Sequence, residues 1–334
     1  MNVRRSLVTG GAGFIGSHLV DSLVADGIAV TILDDFSTGD HGNLAEAAAR
    51  GDVRIVEGSV LDADAVALAM QDCGTVYHLA VECVRRSLSQ PLRNHEVNAT
   101  GTLQVLEAAR RAKVDRVLYC SSSEVYGNAS DKVLPEDTTV CEPVTVYGAA
   151  KLAGEYYAKA YLRTYGLPVV IARPFNSYGP REHDQGDIAE VIPRFVIRVL
   201  NGMPPVVFGD GTAGRDFTYV TETADALKRL AMHPGAVGRV VNLAFGRMVT
   251  IAEVAQAVCV ACGKPGLRPE FAKPRPGDVH RLHADTRQAR ELLGFAAAID
   301  FERGLALYVE WFRRRHLDPS RLLEAETVNW RMPE

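Results

Sequence analysis

The 334-residue chain has neither a long apolar run nor an excess of basic residues. No run approaches the ~20 residues needed to span a bilayer. The first residues lead into a strand-like segment without the apolar stretch and cleavage site of a signal peptide. The net charge is −4, so no general basic field attracts nucleic acid or an anionic membrane. We therefore expect a cytoplasmic protein without nucleic-acid or membrane partners.

Cysteine is also scarce, and only Cys259 and Cys262 form a Cys-x-x-Cys pair. This pair has no second pair or histidine partner at the spacing of a zinc site. It lies in the helix-like segment 251–262, so helix packing is the favoured interpretation and no metal site is predicted. The apolar share of 47% suits a compact α/β enzyme.

Up to about residue 172 the chain alternates short β-branched runs with longer helical patterns, which indicates parallel strands joined by crossover helices. The six predicted strands are 6–9, 29–33, 53–56, 75–79, 116–120 and 168–172. Beyond residue 173, prolines and glycines punctuate short segments, and helices recur at 220–232 and 251–262. We expect a doubly wound parallel sheet in residues 1–173 and a smaller, irregular α/β substrate lobe in residues 174–334, with some elements returning to the first domain.

A glycine-rich turn follows the first predicted strand, in the sequence Thr9-Gly10-Gly11-Ala12-Gly13-Phe14-Ile15-Gly16. The spacing of Gly10, Gly13 and Gly16 permits a tight turn, close approach of the backbone to a pyrophosphate and close packing of helix on strand. The helix predicted over 17–25 presents unpaired N–H groups to that pyrophosphate. The turn, with Phe14 and Ile15, therefore predicts the dinucleotide site of a Rossmann fold.

An acidic residue completes this pattern, because Asp34 ends the second predicted strand. Its carboxylate can bind both hydroxyls of an adenosine ribose and would repel a 2′-phosphate, and no arginine follows it. NAD is therefore favoured over NADP. A flavodoxin-like or methyltransferase nucleotide fold is the less favoured alternative.

Two further segments carry the residues of a hydride-transfer reaction. Ser122 follows the predicted strand 116–120, whose carboxyl end faces the ligand crevice of a doubly wound sheet. Tyr147 and Lys151 are four residues apart and share one face of a helix. Oxidation of a carbinol requires a base for the hydroxyl proton, and a nearby ammonium lowers the pKa of a tyrosine. We predict that Tyr147 is this base, that Lys151 assists it and that Ser122 holds the same oxygen, although Tyr-x-x-x-Lys alone is more often a chance helical pair.

These motifs together resemble the extended short-chain dehydrogenases/reductases, specifically the nucleotide-sugar epimerase/dehydratase group. The similarity covers nearly the whole chain. Its further landmarks are His78-Leu79-Ala80, Asn98 before Gly101-Thr102, Arg173-Pro174-Phe175-Asn176-Ser177-Tyr178-Gly179-Pro180, Gly209-Asp210-Gly211, Arg215-Asp216-Phe217 and Arg275-Pro276-Gly277-Asp278. The resemblance implies an NAD-dependent enzyme that acts on a nucleotide-diphosphate sugar.

The resemblance also implies the roles of individual side chains. The residues that it adds to the cofactor site are Leu79, Ala80 and Asn98, together with Tyr147 and Lys151. Ser123 and Asn176 should face the substrate, with Asn176 near the sugar and the diphosphate. Arg215 and Arg275 should grip the diphosphate and the nucleotide ribose, which suits a planar fork of donors. Without the resemblance, an arginine in a glycine-rich loop is more often a solvated loop residue.

The sequence departs from the family pattern at two places near the ligands. Gly58-Ser59-Val60 offers a hydroxyl where family members carry Asp or Asn near the adenine. The segment 78–87 is one residue shorter than the usual pattern. Glu82 and Cys83 therefore either face the substrate or belong to a tightened turn, and we favour the turn.

The reaction depends on Ser123 and Glu124. A 4-epimerase needs only the Ser–Tyr–Lys set, because hydride leaves carbon 4 and returns to the other face of the ring. A 4,6-dehydratase also needs a carboxylate to take the proton from carbon 5 and an acid to help hydroxide leave carbon 6. Thymidine-sugar dehydratases carry Asp-Glu at this position, whereas GDP-mannose dehydratases and UDP-glucuronate decarboxylases carry Ser-Glu like this chain. Segments 191–195 and 208–211 look more like those of epimerases, so we favour a 4-epimerase over a dehydratase or decarboxylase that uses Glu124.

The resemblance further implies a homodimer with a four-helix interface formed by residues 91–112 and 146–165. Apolar residues on these helices must be divided between the protein's own sheet and a partner; they are Leu103, Val105, Leu106, Ala153, Tyr156, Tyr157 and Ala160. A regulatory NAD-binding protein without activity is a weak alternative, because both Tyr147 and Lys151 are present.

Overall fold

A computed structural model of the chain describes residues 4–128 and 132–324, together with Val328 and Trp330. The strands are β1 Arg5–Thr9, β2 Val30–Asp34, β3 Val53–Glu57, β4 Cys73–His78, β5 Arg116–Cys120, β6 Val169–Pro174, β7 Asn176–Tyr178, β8 Val206–Phe208, β9 Gly214–Tyr219, β10 Val240–Leu243, β11 Met248–Thr250, β12 Glu270–Ala272 and β13 Arg281–Leu282. The α-helices are α1 Phe14–Ala25, α2 Ala45–Arg50, α3 Ala63–Ala69, α4 Arg86–Ser89, α5 Pro91–His95, α6 Gly101–Ala112, α7 Val146–Tyr165, α8 Val191–Leu200, α9 Val220–Met232, α10 Ile251–Ala261, α11 Arg287–Leu293 and α12 Phe301–Arg315. A π-helical turn, Glu96–Thr100, joins α5 to α6.

The main sheet has seven parallel strands in the order β10-β6-β5-β4-β1-β2-β3. The chain runs outward from β1 to β3, returns to β4 on the other side of β1, and then runs outward again. Parallel strands of this kind carry helices on both faces, and ligands bind where the winding reverses. The switch point lies between β1 and β4, which pair in parallel. The order confirms the predicted doubly wound sheet.

Residues of β1 show why these strands are apolar on both faces. Successive side chains of a strand point to opposite faces of the sheet. Val8 packs in a core cluster with Leu19 of α1 and Leu227 of α9. Leu7 points the other way and packs in a second cluster with Val105 of α6. Both faces are therefore buried, and no alternating polar pattern is expected.

The smaller lobe is built on β9, which pairs with β7, β11 and β13, while β8 and β12 pair separately. Helices α8, α10 and α12 cover it. Their shared core includes Ile192, Val254 and Phe312, all fully buried, with Phe217 of β9 against them. This lobe confirms the predicted irregular α/β second unit. In the described part of the chain, no helix combines the length and the apolar character required to cross a bilayer.

The structure differs from the sequence-based prediction at several boundaries. Helix α1 begins at Phe14 rather than at residue 17, so Gly16 lies within its first turn. A seventh strand, β10, joins the main sheet beside β6 after a long excursion through the second lobe. Its four residues are too short for a period-two pattern to identify them. Cys259 and Cys262 are buried free thiols at the end of α10 and just after it.

A close contact sets the height of α7 over the sheet. The hydroxyl of Tyr119, in β5, donates to the backbone oxygen of Lys151 at 3.0 Å. Gly154 lies directly opposite the same hydroxyl, and a Cβ atom at this position would overlap it. The absence of a side chain at Gly154 therefore allows α7 to approach β5 closely.

We predict that Gly154→Ala lowers the melting temperature. Inserting a methyl group into a packed interior usually lowers the free energy of unfolding by about 1–3 kcal/mol. The higher helix propensity of alanine opposes this by up to about 1 kcal/mol. Thermal unfolding followed by circular dichroism measures the shift.

The matched control is Gly266→Ala, because no atom of the described residues lies within 4 Å of a Cβ built at Gly266. Its melting temperature should stay close to that of the wild type. Equal melting temperatures for both variants would contradict the proposed close approach of α7 and β5.

Candidate active site

A cleft with a volume of about 430 Å³ opens at the switch point of the main sheet. The turn after β1, the ends of β2 and β3, the loops after β4 and β5, and the start of α7 all contribute to it. Of the residues proposed for the site, it is lined by Gly10, Gly13, Phe14, Ile15, Gly16, Asp34, Leu79, Ala80, Ser122, Ser123, Glu124, Tyr147, Lys151 and Asn176. The structure thus brings together segments that are distant in the sequence.

The glycine turn has the shape that a dinucleotide requires. Gly10 has a φ of 70°, and a Cβ atom there would lie 2.8 Å from the backbone of Ala80. At Gly16 a Cβ atom would overlap the carbonyl oxygen of Gly10. Gly13 is the N-cap of α1 and has no side chain to cap the helix, so the N–H groups of the first helical turn face the cleft. The turn therefore fits the pyrophosphate of a dinucleotide.

Asp34 ends β2 with its carboxylate at the cleft. It accepts hydrogen bonds from the backbone N–H of Ala12 at 2.8 Å and of Phe36 at 2.9 Å. Burial raises the pKa of Asp34, and the two backbone bonds oppose this shift. They also hold the carboxylate at a fixed point beside the glycine turn, where it suits a ribose diol and disfavours a phosphate. The cleft residues therefore fit NAD, and Ser59 lines the cleft near the expected adenine.

Asn98 takes a supporting position behind the cleft rather than a position in its lining. Its side-chain oxygen accepts from the N–H of Glu82 at 3.0 Å, and its amide nitrogen donates to the carbonyl of Glu82 at 2.9 Å. The π-helical turn that contains Asn98 directs this amide toward the loop after β4. Asn98 thus holds the loop that follows Leu79 and Ala80.

Ser122 and Tyr147 meet across the cleft. Ser122 lies two residues after the end of β5. Its side-chain oxygen accepts a hydrogen bond from the N–H of Glu124 at 3.2 Å and thereby caps a short 3₁₀ turn. Burial raises the pKa of Tyr147, while a side-chain hydrogen bond with Ser122 lowers it. In the protein alone the phenol therefore stays protonated, which differs from the lowered pKa expected from the sequence. The two oxygens can still contact one substrate hydroxyl together.

Lys151 lies one turn after Tyr147 on α7. Thr145 caps this helix by accepting from the N–H of Gly148 at 3.1 Å. The ammonium group of Lys151 donates to the carbonyl of Cys120 at 3.0 Å. Burial lowers the pKa of Lys151 from 10.5 to about 8. A lysine with this pKa carries its charge near neutral pH but can readily release a proton.

Glu124 points into the cleft beside these groups. Burial raises the pKa of its carboxyl group, and the positive charges of Arg215 and Arg275 oppose the shift. Both arginines lie near Glu124 but outside the cleft lining. Each donates to the same carboxylate oxygen of Asp278, at 2.8 Å in both cases. In this structure Asp278 therefore occupies the guanidinium groups that the resemblance assigns to the diphosphate and ribose.

Glu82 and Cys83, for which we favoured a tightened turn over contact with the substrate, both line the cleft. The side-chain amides of Asn94 and Asn98 donate to the carbonyl of Glu82 at 3.0 and 2.9 Å. This support turns the loop inward. Its position depends on contacts from α5 and the following turn, which no local pattern reveals.

Further residues of the cleft were not evident from the sequence. His183 and Glu190, from the segment before α8, form one wall together with Arg85. His183 contacts Glu190 at 3.2 Å. The only available signal was the charged sequence after Gly179-Pro180.

The family model described as the NAD dependent epimerase/dehydratase family matches residues 6–244. A UDP-glucose 4-epimerase of Mycolicibacterium smegmatis is 38% identical over 93% of this chain and 99% of its own length. The solved UDP-glucose 4-epimerase of Thermus thermophilus in complex with NAD superposes with a TM-score of 0.85 at 33% identity, covering 92% of this chain and 99% of the other. A dTDP-glucose 4,6-dehydratase of Streptomyces venezuelae with NAD bound gives a TM-score of 0.89 at 32% identity, covering 96% and 100%.

We predict that the stability of wild type relative to Lys151→Met rises as the pH increases from about 8 to 10.5. The folded-state pKa of Lys151, about 8, lies below its ordinary value of 10.5. Between these values the unfolded chain binds more protons, so unfolding becomes less favourable as the pH increases. The total change is on the order of 3 kcal/mol.

Melting temperatures of both proteins at several pH values between 7 and 10.5 measure this difference. Both proteins contain the other titrating groups, so the contributions that do not depend on the charge of Lys151 cancel. A difference that stays constant over this range would contradict the burial of a charged Lys151.

Proposed function

The chain belongs to the NAD-dependent epimerase/dehydratase family, and we propose that it is a nucleotide-diphosphate-sugar 4-epimerase. One observation carries the proposal: Ser122, Tyr147 and Lys151 share the cleft with a residue 123 that is serine. This set supports reversible oxidation at carbon 4. Ser123 stands where thymidine-sugar dehydratases carry the acid that helps hydroxide leave carbon 6, and this difference favours the epimerase over that class of dehydratase.

Each residue has a distinct part in this reaction. When bound, NAD supplies the hydride acceptor and later the hydride donor at carbon 4. Tyr147 takes the proton of the carbon 4 hydroxyl and returns it after the ring has turned over. Ser122 holds the same oxygen by a hydrogen bond. The ammonium of Lys151 stabilises the ionised tyrosine by its charge.

The substrate contacts follow from the same cleft. Asn176 lines it beyond β6 and can bind the sugar or the diphosphate. Arg215 and Arg275 would exchange their shared partner Asp278 for the diphosphate and the nucleotide ribose. A phosphate offers each guanidinium two charged acceptors, whereas one oxygen of Asp278 now serves both.

A dehydratase or a decarboxylase is the second candidate, and Glu124 supports it. The carboxyl group lines the cleft, and burial raises its pKa. A carboxylate in such surroundings is a better base at carbon 5 than a solvated one.

We also propose a cytoplasmic location. All six cysteines are free thiols, which is typical of a reducing compartment.

We further propose a homodimer formed through α6 and α7. Of the apolar residues expected to be shared, Val105 and Leu106 are buried against the protein's own sheet. Leu103 and Tyr156 remain 38% and 64% exposed, and Ala160 is also exposed. This outward apolar face supports a two-fold interface between the helix pairs.

The dimer proposal predicts twice the monomer mass in multi-angle light scattering. Tyr156→Glu should shift the mass toward the monomer, because a charge would be buried at the interface. Leu317→Glu is the control, since Leu317 is 92% exposed after α12, away from this face. A wild-type protein that stays monomeric at working concentration would contradict the proposal.

The reaction itself is tested in heavy water with nucleotide-sugar substrates. A 4-epimerase moves the hydrogen of carbon 4 to the cofactor and back without exchange with solvent. We therefore expect product without carbon-bound deuterium by NMR, and Glu124→Gln should still turn over.

A second variant tests the proposed base. Tyr147→Phe retains the ring but loses the proton-accepting oxygen, and its turnover should fall by about 100-fold or more. Deuterium at carbon 5 or carbon 6, together with a Glu124→Gln variant that stops after the first oxidation, would support the dehydratase or decarboxylase instead, and loss of carbon 6 as carbon dioxide would identify the decarboxylase.

A further inference from the structure

Residues 180–190 cross the cleft from one side to the other. At the beginning of this segment, Arg181 pairs with Asp21 of α1 at 2.7 Å. The carbonyl oxygen of Pro180 lies 2.9 Å from Nε2 of His18, also in α1. These contacts attach the segment to the side of the cleft that carries the glycine turn.

The far end of the segment is attached to the opposite side, the loop after β4 and the start of α4. Nε and Nη2 of Arg86 donate to the two carboxylate oxygens of Asp187, at 3.0 and 3.2 Å. Nε of Arg85 donates to the backbone oxygen of Asp187 at 3.0 Å, and its Nη2 donates to that of Ile188. Two neighbouring arginines thus hold the same short turn.

The inner side of the segment is part of the cleft wall. His183 and Glu190 both line the cleft and contact each other at 3.2 Å. Burial lowers the pKa of His183, but the hydrogen bond with Glu190 and the negative charge of Glu190 together raise it above its ordinary value. A hydrogen bond to the backbone of Thr38, in the loop after β2, acts in the same direction. The segment therefore forms part of the cleft wall rather than lying on an unrelated surface.

Arg86 connects this segment to the floor of the cleft as well. Its Nη1 atom lies 3.4 Å from the carboxylate of Glu82. The backbone of Glu82 is in turn held by Asn94 and Asn98. One guanidinium therefore links a rigid, buried loop to the turn at Asp187. Neither Arg86 nor Asp187 lines the cleft itself, so the link acts by holding other groups in position.

We propose that residues 180–190 form a strap across the cleft, that the Arg86–Asp187 pair latches it, and that the latch keeps the oxidised sugar and the cofactor inside during turnover. The proposal rests on the proposed epimerase reaction. Oxidation at carbon 4 sends one hydrogen as hydride to NAD and the hydroxyl proton to Tyr147, leaving a ketone. Epimerisation is complete only if this same ketone receives the hydride back, so its escape ends the cycle with the cofactor reduced.

Asp187→Asn and Arg86→Met test the latch, and Arg314→Met is the matched control. Arg314 pairs with Glu310 on the surface of α12, where both side chains are more than half exposed. The first readout is the dissociation rate of NAD from loaded protein in the absence of sugar. The second is the reduced cofactor and free ketone that accumulate with substrate. We expect both to increase about fivefold in the two latch variants and to remain unchanged in the control.

The double variant separates a latch from two independent effects. If the pair acts as one unit, the double variant Arg86→Met/Asp187→Asn releases NAD and ketone no faster than either single variant. Dissociation rates equal to that of wild type in both single variants would overturn the proposal. The dissociation rate is measured without sugar, so it tests the latch independently of the reaction. Failure to epimerise any of the sugars offered would instead refute the proposed function.

Discussion

A buried ion pair between Glu155 of α7 and Arg173 of β6 holds together the elements that carry the proposed catalytic residues. Nε and Nη2 of Arg173 donate to the two carboxylate oxygens of Glu155 at 2.8 and 2.7 Å, and the hydroxyl of Ser121 donates to the same carboxylate at 2.6 Å. Glu155 is fully buried, so removal of the two charges from water costs free energy that their hydrogen bonds must offset. Three bonds surround the carboxylate of Glu155, while Nη1 of Arg173 is buried without a hydrogen-bond partner among the described residues. The three bonds join α7, β6 and the end of β5, which together deliver all the residues proposed for proton transfer.

The position of the reacting groups follows from this junction. Ser121 is held by Glu155, which sets the direction of the next residue, Ser122, into the cleft. On the helix side, the hydroxyl of Tyr119 binds the backbone of Lys151, whose ammonium returns to the carbonyl of Cys120. Helix and strand are thus linked in both directions at the turn that carries Lys151. Groups held on rigid elements in this way keep the short distances that proton transfer requires.

The sequence predicts those parts of the site whose geometry is local. The glycine turn and the Tyr147–Lys151 spacing each occupy a few consecutive residues, so the fold brings them to the cleft with little freedom. The environment of Arg215 is different, because its partner Asp278 lies 63 residues later and no short pattern links them. The strap is unpredictable for the same reason, since its contacts come from α1 and from the loop after β4. The strand β10 escapes detection because four buried residues carry no distinctive period.

The choice between epimerisation and elimination is made by single side chains on an unchanged framework. The short turn after β5 directs Ser122 toward Tyr147 and Glu124 toward the cleft. Both reactions begin with the same oxidation, which uses Ser122 and Tyr147. Elimination then requires a base for the proton of carbon 5 and an acid for the hydroxyl group that leaves carbon 6. The base must be ionised while the acid is protonated, so their pKa values must differ accordingly. Burial prepares Glu124 as a base, yet its neighbour Ser123 offers only a hydroxyl, which holds its proton far more tightly than a carboxylic acid. In the proposed 4-epimerase the ketone therefore receives the hydride back, and the proposed strap holds the ketone in the cleft until this happens.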